Sequence, residues 1–386
     1  MPTKNDAAWE HLFDQYRILE QIEQRGFYEI SSQVINRLRE ARLMTKFDNK
    51  SQLPRSFATN NLSILPITRG SYLIAEFESF LDFNIDEPAT LNIDFPPHIE
   101  SLDYRDITSE ASAINCTFVS RILNDFTGEE NLYPTVSGRM SSSAFNFGIN
   151  GVNFRVNVNN SQIEIDGGYE GAESLTLIEA KNYISQDFLI RQLYYPFKLW
   201  TNKIQKRIRS VFLTYTNGVF HLREYSFENS DHYNSLRLIR QRKYSFGDNH
   251  INIERIQVVL NETVVAPEPE TPFPQADSFE RIINLCELLK QRGGLTKEEI
   301  TLNYGFTERQ THYYTAAGRY LGLIEAPTGQ ERCYTLSLRG DNIFNLPISG
   351  RQIEFIQLIL SHGAFKRTLE QYLENGIMPD GNTIVN

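Results

Sequence analysis

Two apolar runs carry charges where a strand core would tolerate none: Gln162-Ile-Glu-Ile-Asp166 and, after the stretch Gly167-Gly-Tyr-Glu-Gly171, Leu175-Thr-Leu-Ile-Glu179-Ala-Lys181. Strand side chains alternate between faces, so Glu164 and Asp166 share one face and Ile163 and Ile165 the other. By the same alternation Glu179 and Lys181 lie opposite Ile178 and Ala180. Paired as a hairpin through a Gly-rich turn, the two runs bring Asp166, Glu179 and Lys181 together. Burying carboxylates costs on the order of several kcal/mol unless a cation or a donor answers them. These strands therefore require a fold that supplies one.

Two carboxylates on adjacent strands suit Mg²⁺, which takes one or two acids and completes its shell with waters and substrate oxygens; Mn²⁺ is expected to substitute. Such a cation acidifies an attacking water and offsets charge in phosphodiester hydrolysis. Lys181 is expected to orient that water and oppose developing charge, and the Ala180 carbonyl is a further ligand. Two acids and a lysine at strand ends equally describe a surface ion pair, so the spacing alone leaves both readings open. A net charge of -10 argues against a nucleic-acid partner. Between Lys181 and Lys243, however, twelve Lys or Arg stand against four acids, a surplus of eight. A cluster of this kind is either a solvated helix face or a phosphate-binding surface.

Periodicity sets out the rest. Residues 8 to 44 predict two helices broken at Gly26, Leu62 to Phe77 a hairpin, and Ser109 to Phe126 a helix capped by Thr108 or Ser109. Short strands then run from Phe145 to Tyr225, interrupted by one amphipathic helix near Ser185 to Lys203. This order predicts an α/β fold with a mixed sheet flanked by helices. The proline-rich stretch from Ala266 to Pro274 predicts an extended tether. The expected divisions are 1–100, 101–262, a linker at 263–277, 278–345 and a helical tail at 346–386. No apolar run approaches the ~20 residues of a membrane span. The start Met-Pro-Thr-Lys-Asn-Asp is not a signal peptide, so a cytoplasmic protein is expected. Cys116, Cys286 and Cys333 have no metal-ligand spacing, and no phosphate-binding G-x-x-x-x-G-K-[ST] or nucleophile G-x-S-x-G occurs. ATP is therefore not an expected partner.

The residues Asp166, Glu179-x-Lys181 and the basic helix after them resemble the PD-(D/E)XK nuclease superfamily. The resemblance spans roughly residues 108 to 245. It implies metal ligation by Asp166 and Glu179 and a catalytic Lys181. Gln192 and Tyr195 resemble the Gln and Tyr that many members set beside the substrate phosphate, and Glu110 is the natural match to an acid on the helix before the sheet. Ile165 stands where the family motif has Pro. The match from Gln162 through Trp200, with Leu132-Tyr-Pro-Thr-Val-Ser-Gly-Arg139 upstream, looks like type II restriction endonucleases in particular. It implies DNA contacts from Arg139, Arg191, Tyr195 and Lys198, with core packing as the alternative for the aromatic residues and turn stabilisation for Arg139.

After the tether, a helix from Ser278, a second opened by Thr296-Lys-Glu-Glu299 and a third opened by Thr307-Glu-Arg-Gln310 precede a hairpin around Pro327-Thr-Gly329. This is the order of a winged helix-turn-helix. Its third helix would present Arg309 and Gln310 to base edges and Thr307, His312 and Tyr313 to the backbone; a protein-binding module is the other reading. The sequence thus predicts a Mg²⁺-dependent type II restriction endonuclease acting on double-stranded DNA, expected as a homodimer. The alternatives are a methylation- or structure-directed nuclease and a winged-helix regulator with a degenerate nuclease domain.

Overall fold

Thr3 starts α1 (Lys4–Tyr16) with a reciprocal cap: its hydroxyl accepts from Asp6 N, and the Asp6 carboxylate accepts from Thr3 N. A left-handed Arg17 leads into α2 (Ile18–Arg25), which Gly26 ends at φ 84°. Beyond it the expected second helix is replaced by a strand, β1 (Phe27–Ser31), and three short helices, α3 (Ser32–Ile35), α4 (Ala41–Thr45) and α5 (Arg55–Thr59). Phe27-Tyr-Glu-Ile30 suits a strand, and its ladder is satisfied by a neighbour distant in sequence. That neighbour is β3 (Ser71–Glu76), which also forms the predicted hairpin with β2 (Leu62–Pro66), giving the antiparallel order β1-β3-β2. Trp9 and Phe57 meet edge to face at 4.8 Å in the core that closes this region.

The structure, a computed structural model, describes residues 3–83, 86, 88–247, 251–272, 275–304, 306–327 and 332–377. It divides into two units. The first comprises Met1–Leu102, Ile107–Tyr215 and Val219–Tyr244; the second comprises Asp103–Asp106, Thr216–Gly218 and Ser245–Asn386.

The rest of the first unit runs β4 (Phe80–Asp82), β5 (Thr90–Ile93), α6 (Glu110–Val119), α7 (Ile122–Thr127), β6 (Tyr133–Ser141), β7 (Phe145–Gly148), β8 (Arg155–Val158), β9 (Gln162–Glu170) and β10 (Ser174–Lys181). It continues through β11 (Asp187–Leu189), α8 (Arg191–Thr201), β12 (Arg207–Thr216), β13 (Val219–Phe227) and β14 (Leu236–Phe246). Seven strands form one mixed sheet in the order β5-β14-β13-β12-β10-β9-β6. β9 is antiparallel to β6 and β10, and α8 carries the chain to β12, parallel to β10. Helices α6 and α8 both pack on β9 and β10. The mixed sheet flanked by helices that the sequence predicts is thus present.

Three local expectations change. The single helix predicted over Ser109 to Phe126 is two, because Arg121 adopts φ 63° between α6 and α7. The helix predicted from Ser185 begins only at Arg191, since Asp187-Phe-Leu189 pairs with β4. Gly167 and Gly168, read as part of the turn, lie inside β9, and the chain reverses between Gly171 and Ser174. Their bare Cα atoms let neighbours close in: a Cβ on Gly168 would stand 2.6 Å from Val136 Cβ of β6.

The second unit contains α9 (Ile253–Glu262), α10 (Phe279–Arg292), α11 (Lys297–Tyr304), α12 (Glu308–Tyr320), α13 (Leu338–Phe344), α14 (Ile348–Leu360) and α15 (Gly363–Asn375). Leu295 pairs with Tyr334 and Ile324 with Leu336 in isolated antiparallel bridges. Because α9 packs with α14, the chain enters this unit before residue 263, and the proline-rich stretch lies inside it. The described residues of that stretch are not free. Glu268 accepts from Tyr320 Oη and pairs with His362 at 3.0 Å, and Asp277 accepts from Tyr314 Oη. Phe273 and Pro274 of the tether, Gly305, residues 328 to 331 of the expected hairpin turn and residues 378 to 386 of the tail lie outside the described residues.

Candidate active site

The β9–β10 ladder pairs Ile178 with Gly167, and the same register continued by one residue sets Glu179 opposite Asp166. Directly opposed residues of antiparallel strands share a face, so alternation and pairing together deliver both carboxylates and Lys181 to one side of the sheet. The backbone finishes the arrangement. Ala180 N donates to Asp166 Oδ2 at 2.8 Å, and Lys181 Nζ donates to Glu179 Oε1 at 2.6 Å and to the Ala180 carbonyl at 3.1 Å. From the second position of α8, Gln192 Nε2 donates to the same Glu179 Oε1 at 2.5 Å. Glu110, at the N-terminus of α6, brings Oε1 to 3.8 Å from Lys181 Nζ.

The site is largely dry. Glu179 and Lys181 side chains are 10% and 12% exposed. Burial pushes the Glu179 carboxyl up to about 8 in spite of the adjacent ammonium, and it raises Glu110 as well. Burial alone would lower Lys181, but Glu179 and Glu110 together hold its ammonium well above its ordinary range. The Tyr183 hydroxyl beside them is pushed up by burial. A carboxylate that resists ionisation next to a fixed cation gains from further positive charge.

The donor set fits a hard divalent cation. Each acid has one oxygen held, Asp166 Oδ2 by Ala180 N and Glu179 Oε1 by Lys181 and Gln192, while Asp166 Oδ1 and Glu179 Oε2 have no protein donor among the described contacts. The Ala180 carbonyl accepts from Lys181 Nζ and has a second lone pair. Among the described residues no three His, Cys, Asp or Glu side chains gather closely enough to hold an ion by themselves. Two free carboxylate oxygens and a carbonyl leave the rest of a shell to water and substrate, as Mg²⁺ prefers.

Residues 75–245 match a family model described as a domain of unknown function (DUF6997), residues 6–74 one described as a domain of unknown function (DUF6996), and residues 281–386 one described as a domain of unknown function (DUF7226). No curated protein and no solved structure matches the chain.

Asp166, Glu179, Ala180, Lys181, Gln192 and Glu110 therefore meet, whereas other predicted contacts do not join them. Tyr195 is 1% exposed and its hydroxyl donates to Pro66 O at 3.0 Å, so it is a core residue. Lys198 is buried with its ammonium 2.7 Å from Asp231, already neutralised. Arg191 starts α8 with its guanidinium 5.8 Å from the Tyr195 ring centre. Arg139 is exposed on β6 and bonds Glu164 at 3.1 Å. Much of the basic segment is likewise paired with acids of the same chain. Buried Glu224 receives Arg207 at 3.1 Å, Arg209 at 3.2 Å and Arg240 at 2.7 Å. In the second unit Arg309 and His312 are exposed on α12, Arg309 Nε donates to Tyr313 Oη, and Gln310 Oε1 accepts from Thr307 N as part of the helix cap.

Proposed function

We propose that this chain is a Mg²⁺-dependent type II restriction endonuclease that hydrolyses phosphodiester bonds of double-stranded DNA at a short specific sequence. The observation that carries the reading is the division of labour within each carboxylate, one oxygen held by the protein and the other with no donor among the described contacts, beside a buried lysine. Asp166 and Glu179 would hold the ion with the Ala180 carbonyl. When bound, Mg²⁺ or Mn²⁺ supplies Lewis-acid charge and an acidified water. Ala180 N–H and Gln192 fix the two acids, so their free oxygens need no reordering. Lys181 orients the attacking water through an N–H donor and opposes charge developing on the phosphate oxygens. Glu110 keeps that lysine protonated.

For DNA capture we assign the second unit. Helices α10 to α12 with the Leu295–Tyr334 and Ile324–Leu336 bridges have the order of a winged helix-turn-helix, in which α12 would enter the major groove. Arg309 and His312 are its exposed donors, and the amide nitrogen of Gln310 remains for an acceptor. A homodimer would bring two such sites to the two strands. Digestion of unmethylated phage DNA in Mg²⁺, followed by sequencing of the ends, tests the assignment. Discrete fragments whose ends share one short sequence are expected. Cutting confined to methylated or branched DNA would replace it with a modification- or structure-directed nuclease. Duplex binding without cleavage in Mg²⁺ or Mn²⁺ would leave a DNA-binding regulator.

A further inference from the structure

A cavity of about 210 Å³ adjoins the carboxylate site, enclosed by β9, β10, β12 and α8. Leu177, Leu193 and Pro196 form its apolar wall, and Glu164, Glu179, Gln192 and Ser210 supply its polar groups. Strand alternation puts Leu177 on the Glu179 face of β10, and the parallel ladder pairs Leu177 with Ser210 of β12. Ser210 therefore turns to the same side of the sheet as the two acids. It is 2% exposed, and its hydroxyl has no hydrogen-bond partner among the described contacts. A buried hydroxyl left unpaired is costly. Gln192 is half satisfied: its Nε2 donates to Glu179 Oε1, while its Oε1 accepts from no described group. One cavity thus presents a donor and an acceptor that a single small polar molecule can serve together.

We propose that one buried water in this cavity accepts from Ser210 Oγ and donates to Gln192 Oε1, and that Ser210 is thereby a positioning residue for Glu179. Water has the right size and chemistry. The space between the walls admits about one water molecule, and a buried water makes about three hydrogen bonds. Ser210 and Gln192 supply two, and a carboxylate of the lining accepts from the second O–H. The two ends of an amide have nearly the same shape, so its neighbours decide which one faces Glu179. Turned over, Gln192 would set Oε1 against a carboxylate oxygen and repel it. A donor to Oε1 from the cavity holds the other orientation, and Glu179 Oε1 stays fixed between Gln192 and Lys181. A serine on the strand beside β10 carries no motif signal. The positioning role rests on the nuclease reading above, and two measurements on the full-length protein separate their failures.

In the first, diffraction from crystals of the full chain is expected to show a water within hydrogen-bonding distance of both Ser210 Oγ and Gln192 Oε1. A cavity that is dry or filled by side chains, or a water that reaches only one of the two atoms, would overturn the bridge. In the second, single-turnover cleavage of duplex DNA in Mg²⁺ is compared for the wild type, Ser210→Ala, Gln192→Ala and the double variant. Ser210→Ala is expected to slow cleavage about tenfold, the scale of an outer-shell partner, with Kd for the duplex unchanged. The double variant is expected to match Gln192→Ala, because Ser210 acts only through that amide. Wild-type rates in Ser210→Ala, or a loss in the double variant beyond that of Gln192→Ala, would overturn the positioning role and leave the nuclease reading intact. No cleavage by the wild type would overturn the nuclease reading and the positioning role with it, while diffraction still decides the water.

Discussion

His221 illustrates how a single buried group is set by its neighbours. Its Nε2 lies 3.0 Å from Gln241 Oε1 and its Nδ1 faces an Arg223 guanidinium nitrogen at 2.7 Å, an arrangement that requires Nδ1 to be unprotonated. Burial, and then the arginine charge, push its pKa from 6.5 down to about 3. Burial also lowers Arg223 to about 10. The unfolded chain therefore takes up this proton before the folded chain does as pH falls. Stability contributed by neutral His221 is complete above pH 6.5 and is lost progressively from pH 6.5 toward about 3. Wild-type Tm should fall more steeply across that window than the Tm of His221→Gln; parallel profiles would contradict the assignment. At this scale the juxtaposition of Asp166, Glu179 and Lys181 was legible because strand alternation, once the two runs pair, puts them on one face. Tyr195 and Lys198 were not, because whether an aromatic or a lysine on a helix turns outward depends on what packs against it, here Pro66 and Asp231. The hydrogen bonds of Asn49 and Lys50 to Asp187 join segments far apart in sequence, which no local pattern encodes.

The elements tell a parallel story about charge. The surplus of cations after Lys181 reads as a phosphate-binding surface, yet β12, β13 and β14 direct Arg207, Arg209 and Arg240 onto Glu224, whose side chain is 2% exposed. Glu224 answers three guanidinium groups, and Arg240 also lies 4.7 Å from the Phe126 ring of α7. Removing one partner of a buried ion pair costs about 3–5 kcal/mol where the other stays desolvated, as Arg209, 14% exposed, does here. Glu224→Ala should lose stability on that scale in urea unfolding. A loss below about 1 kcal/mol, the range of exposed pairs, would show the cluster to be solvent-screened. Strand positions from Phe145 to Tyr225 were readable from apolar alternation and β-rich composition. The β5–β14 pairing and the sheet order were not, since which sequence-distant strands pair is not encoded in the alternation of either strand. The break between α6 and α7 depends on one left-handed residue, Arg121, of a type that gives no warning.

For the whole molecule, a net charge of -10 and the internal pairing of much of the basic segment leave little general affinity for polyanions. On the proposed function, engagement of DNA would depend on placed contacts, with Arg309 and His312 exposed in the second unit and the lysine-carboxylate site in the first. The proposed chemistry would rest on Asp166 and Lys181 in the first unit, and substitutions there should leave duplex binding intact while removing cleavage. The decisive measurement is single-turnover cleavage of duplex DNA in Mg²⁺ by the wild type, Asp166→Asn and Lys181→Ala, with binding of the same duplex measured in parallel. Wild-type cleavage that chelation of the metal abolishes, and that each variant slows by at least about 100-fold at undiminished affinity, is predicted. Cleavage by either variant at close to the wild-type rate, or cleavage that persists without a divalent metal, would contradict the assignment.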